Sequence, residues 1–60
     1  MSFKAEREKA GMSVARVAKI MGVSAAAVYM WESGVMQPRT EKLIALSAAY
    51  GCTVDDLLKK

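Results

Sequence analysis

The sequence predicts an all-α fold on three grounds. Apolar residues recur at intervals of three and four rather than two, four glycines and one proline punctuate these stretches, and good N-capping hydroxyls stand just before several of them. The punctuation at Gly11, Gly22, Gly34, Pro38 and Gly51 leaves room for five helices, without linkers, repeats or low-complexity stretches.

The first helix is expected from Ser2 to about Ala10, with Phe3, Arg7 and Ala10 on one face, and Gly11 is suited to the left-handed conformation that follows a helix. Ser13 then offers its hydroxyl to the free amides of a second helix, whose apolar stripe is Val14, Val17, Ala18 and Met21. That helix stops at Gly22. Only Gly22 and Val23 separate it from Ser24, the N-cap of a third helix running through Ala25, Val28 and Trp31 to about Ser33. Gly34 closes the third helix and Pro38 keeps the next loop from becoming helical. Thr40 or Arg39 opens a fourth helix with Leu43, Leu46 and Tyr50 facing inward, and Gly51 ends it. The fifth begins at Thr53-Val-Asp-Asp, a hydroxyl cap with carboxylates in the positive first turn, and carries Leu57 and Leu58.

Composition narrows the function classes. Sixty residues suffice for a single domain, 1–60, and a 53% hydrophobic content is ample for its core. No apolar run approaches the roughly 18 residues of a membrane span. The segment Met1 to Ala10 carries charges of both signs where a signal peptide requires an apolar stretch, so an exported protein is not expected. A single cysteine, Cys52, and no histidine exclude an internal disulfide and the usual zinc frameworks. The same inventory offers no base and nucleophile, so neither an enzyme nor a cofactor or metal site is expected. Cys52 is read as a small apolar plug after the fourth helix. A net charge of +3 and a pI near 9.3 favour an acidic partner such as nucleic acid, though the excess is modest.

The informative element is Ser13 to Ser33, about residues 13–33, where two short helices meet through a glycine, with small Ala18 at their crossing and Val28 and Trp31 locking the second helix to the core. This is the spacing of a helix-turn-helix. In such a motif one helix crosses the phosphate backbone while the other, here about 24–33, lies in the major groove of DNA.

Five strings carry a resemblance: Arg7-Glu-Lys-Ala-Gly-Met-Ser13, Val17-Ala-Lys-Ile-Met-Gly-Val-Ser24, Val28-Tyr-Met-Trp-Glu32, Pro38, and Gly51-Cys-Thr-Val-Asp-Asp-Leu-Leu58. In this order and at these spacings the chain resembles the Cro and lambda-repressor-type (Xre-type) regulators from Phe3 to Leu58. The resemblance implies a compact five-helix lambda-repressor-like domain and operator binding, often as a homodimer. It also implies an ion pair between Arg7 and Glu32. The family's base-reading positions fall on Ala25, Ala26, Tyr29 and Met30, which are mostly apolar, and Val14 stands where the family often has glutamine. No bidentate partner for guanine or adenine is present, and the loop after the third helix is Val35-Met-Gln37 rather than basic.

The expected double-stranded DNA contacts are therefore weighted to the backbone. They comprise the amide ends at Ser13 and Thr40, with Arg39 and Lys42 beside the second; Val14 and Ser24 at the helix starts; methyl groups of Ala25 and Ala26 against thymine; Met30; and the Tyr29 hydroxyl on a phosphate. Shape-weighted, AT-tolerant recognition with weak specificity is the expected outcome. Trp31 is read as core; Tyr29 is read as DNA-facing or as surface packing. The function expected is a DNA-binding transcriptional regulator of the repressor kind in a bacterial or phage setting, acting in the cytoplasm. The competing reading is a protein-interaction or antitoxin-type module on the same fold, with Val14, Ile20, Met30, Val35 and Met36 as an apolar partner surface. Leu57 and Leu58 serve either a dimer contact or the monomer core.

Overall fold

In a computed structural model of the protein, residues 2–59 are described; Met1 and Lys60, included in the expected domain 1–60, lie outside the described residues. The chain forms α1 (Phe3–Lys9), α2 (Val14–Met21), α3 (Ala25–Ser33), α4 (Thr40–Tyr50) and α5 (Val54–Leu58), with no strand among the described residues. Each helix sends one nearly solvent-free side chain to a common centre: Phe3, Val17, Val28, Leu46 and Leu57. Burying such a side chain contributes about 1.5–3 kcal/mol, so all five short helices depend on the same cluster. None of them is long enough to persist alone.

The helix starts follow from local chemistry. Arg16 N–H donates to Ser13 Oγ at 3.1 Å and Ala27 N–H to Ser24 Oγ at 3.2 Å. At α5 the cap is reciprocal: Asp56 N–H donates to Thr53 Oγ1 at 3.0 Å and Thr53 N–H to Asp56 Oδ2 at 3.1 Å. The Thr53 N–H above all, with the Thr53 side chain and Lys59, holds the Asp56 carboxyl below its ordinary pKa.

Ser2 departs from the expected helix. Its N–H donates to Leu57 O at 2.9 Å and its Oγ to Lys59 O at 2.8 Å, so its side chain is occupied by the end of α5 and the first helix begins one residue later, at Phe3. Ala10, expected on the same face as Phe3, is exposed, and Ala25 is exposed as its expected contact with DNA requires. Ala10 follows the end of α1, where the chain already turns through Gly11, and Ala25 sits on the first turn of α3, outside the packed segment that starts at Val28. Val14, read both as part of the α2 stripe and as a surface contact, is buried beside Val17, Ala18 and Met21, because it belongs to the stripe that α2 presses onto the core. Leu57 is fully enclosed, whereas Leu58 is 38% exposed.

Between α2 and α3 the chain bends by 109°. Gly22 adopts φ 68°, ψ 33°, and Val23 N–H donates back to Ala18 O at 3.0 Å, which ends α2 and redirects the backbone within three residues.

Candidate nucleic-acid interface

The middle and the last turn of α3 are fixed from inside. Val28 and Trp31 are buried, and Glu32 on the last turn accepts from Arg7 of α1: Nε to Oε2 at 2.6 Å and Nη2 to Oε1 at 3.3 Å. Arg7 Nη1 also donates to Met12 O at 2.9 Å, so one guanidinium ties α1, the α1–α2 turn and the end of α3. Both side chains are nearly enclosed. The hydrogen bond to Glu32 raises the already high pKa of Arg7, against the opposing effect of burial. Paired in this way, neither charge is left alone in a low-dielectric setting.

The opposite side of α3 is open. Ser24, Ala25 and Ala26 are exposed, and Tyr29 is 59% exposed. Met30 is half-buried, and its carbonyl accepts from Met36 N–H at 3.2 Å, which folds the following loop against the helix end. A groove beside Tyr29 is lined by Ser13 and Ala15 at the start of α2, by Ser33, and by Lys4 of α1. Lys4 was not singled out from the sequence; in one dimension it is an ordinary charged residue on a short helix, and only the packing of α1 across α3 brings it to this groove.

The remaining expected contact residues are distributed unevenly. Arg39 and Thr40, at the start of α4, are exposed, and Arg39 is the N-cap without a side-chain cap bond. Lys42 is not free beside those amides: its half-buried side chain reaches back and Nζ donates to Met21 O at 2.9 Å. Val14 can offer its backbone at the start of α2, but its side chain is in the core. Of the expected apolar partner surface, Ile20, Val35 and Met36 are exposed and Met30 is half-covered. Ile44 is also exposed and was missed, since its spacing from Leu43 gave no sign that its side of α4 was uncovered. Cys52 is half-buried against the core, and burial is the main reason its thiol pKa is raised.

No described helix is long and apolar enough to cross a membrane, and no cluster of metal-ligating side chains occurs among the described residues. The site therefore offers a protruding helix start, two further helix starts, exposed cations at Lys4 and Arg39, and a tyrosine hydroxyl.

Comparison with known proteins agrees with this geometry. The helix-turn-helix family model matches residues 3–57. Repressor protein C2 of Salmonella phage P22 is 41% identical over 57 residues, which is 95% of this chain and 26% of that protein, so the chain spans about a quarter of the length of the relative. No solved structure matches. With the matched segment running from the first residue of α1 into the last helix, and with two helices at 109° in its middle, the chain belongs to the helix-turn-helix family of Cro/C1 type.

Proposed function

We propose that this chain is the DNA-binding part of a transcriptional repressor and that it inserts the start of α3 into the major groove. The observation that carries this reading is the combination of a 109° bend with an uncovered first turn: Ser24, Ala25, Ala26 and Tyr29 face solvent while Val28 and Trp31 anchor the same helix from behind. A helix held proud of a rigid support is what groove insertion requires. Membership of the helix-turn-helix family and the likeness to a phage repressor support the same reading, and a cytoplasmic location goes with it.

In this reading Arg39 and Lys4 neutralise phosphates, the amides at Ser13 and Thr40 orient the chain on the backbone, and Tyr29 donates to a phosphate oxygen. Ala25 and Ala26 offer methyl groups to thymine, with Met30 at the edge of the contact. None of these groups forms a bidentate pair with a base, so discrimination rests on groove shape and thymine methyls, and the expected preference is for AT-rich duplexes.

Fluorescence-anisotropy titration of a labelled AT-rich duplex at several salt concentrations tests the proposal. Each phosphate contact contributes a slope of about −0.9 in log K against log salt. Arg39→Ala is expected to make the slope shallower by about 1 and to leave the AT preference intact. Binding that ignores salt would end the DNA reading.

A second reading is favoured by one observation: Ile20, Val35, Met36 and Ile44 are all at least half exposed. Side chains of this kind serve a protein contact, either a second copy of the chain or, in an antitoxin-like arrangement, a different protein. Sedimentation equilibrium separates a homodimer from a monomer awaiting another partner.

A further inference from the structure

Lys42 is the third residue of α4, on a first turn where the helix dipole disfavours a cation. Its ammonium lies instead at the negative end of another helix: Nζ donates at 2.9 Å to the carbonyl of Met21, the last residue of α2. The turn's own amides are already committed. Gly22 N–H is shared between Ala18 O and Lys19 O, and Val23 N–H goes to Ala18 O, so Lys42 is the donor that reaches Met21 O. Met21 is buried and Lys42 half-buried, so this bond is sheltered from much of the competition that weakens surface pairs.

The tether joins two places that have to meet one duplex together. On one side of it the chain passes through Gly22 into the first turn of α3; three residues before Lys42 lies Arg39, followed by Thr40, both exposed. We infer that Lys42 is a positioning residue of the DNA-binding surface: by capping α2 from α4 it fixes the start of α3 relative to Arg39 and Thr40, and does not itself hold a phosphate. This inference rests on the DNA-binding reading above. Its structural half stands apart from it, because the tether acts within the free chain.

The test uses Lys42→Met, which keeps the aliphatic stem and removes the donor, and Lys42→Arg, which keeps a donor. Both are first checked for native helix content by circular dichroism. Amide exchange is then measured by NMR without DNA. In Lys42→Met, exchange at Val23, Ala27 and Val28 is expected to rise about tenfold relative to amides in α1, the loss of one charge-assisted bond, with wild-type values in Lys42→Arg. Affinity for the AT-rich duplex is expected to fall about tenfold in Lys42→Met with the salt slope unchanged, and to recover in Lys42→Arg.

A slope shallower by about 0.9 in Lys42→Met would identify Lys42 as a phosphate ligand and overturn the inference. Unchanged exchange and affinity in Lys42→Met would overturn it as well, as would tenfold losses in Lys42→Arg. A wild-type chain that failed to bind DNA would remove the DNA-binding reading, and the exchange data would still decide whether the tether holds the turn.

Discussion

Arg7 shows how much can depend on one side chain in a protein of this size. Its three donors satisfy both oxygens of Glu32 and the carbonyl of Met12. Removing either partner strands the other charge, so Glu32→Ala is expected to cost about 3 kcal/mol in thermal or urea melts. The double change Arg7→Ala with Glu32→Ala should cost clearly less than the sum of the single changes, and strict additivity would show that the pair is not coupled. Tyr50 provides a pH signature. Burial, reinforced by nearby Glu32, pushes its hydroxyl up from 10.0 to about 12. A raised folded pKa means that the unfolded chain loses the proton first. The contribution of Tyr50 is therefore intact below pH 10 and disappears as pH climbs through about 12. Alkaline melts should show this decline in the wild type, and Tyr50→Phe should flatten it. At this scale the sequence was informative wherever a side chain acts on its own neighbours, as Ser13, Ser24 and Thr53 do, and misplaced Lys42, set beside the amides of Thr40 although its partner lies 21 positions back.

Among the elements, the corner between α2 and α3 is the most exacting. Gly22 is left-handed in open space, with nothing within 4 Å of where a Cβ would stand, so Gly22→Ala introduces backbone strain and no collision. The expected cost is about 1 kcal/mol, visible as a lower melting temperature with native helix content retained; a larger loss accompanied by unfolding of α3 would mean that the turn is also sterically confined. At α5 the reciprocal cap carries a five-residue helix, and Thr53→Ala is expected to cost about 1 kcal/mol, with α5 amides the first to gain exchange. Helices were legible because caps, glycines and apolar stripes are local signals. Their edges were less so: Ala10 lies on the face of Phe3 by periodicity, yet α1 ends at Lys9 and leaves it exposed. Val14 shows the opposite case, where periodicity correctly placed it in the α2 stripe and its position at a helix start wrongly suggested exposure.

For the whole molecule, the sequence indicated most of the core, since Phe3, Val17, Val28 and Leu46 each belong to a readable stripe, while Leu57 was left between the core and a dimer contact. It could not indicate which outer faces remain uncovered. Ile44 and the groove at Lys4 depend on how five helices cross, and crossing angles are set by packing rather than by any one segment.

The bonds from Ser2 to Leu57 and Lys59 bring atoms of residues 55 and 57 positions apart within 3 Å of each other. A peptide bridge between Ser2 and Lys59 would consequently span almost no distance. A ring closed between these two residues should keep the native fold, and because it removes chain entropy from the unfolded state it should melt at a higher temperature, with a gain of up to roughly 4 kcal/mol.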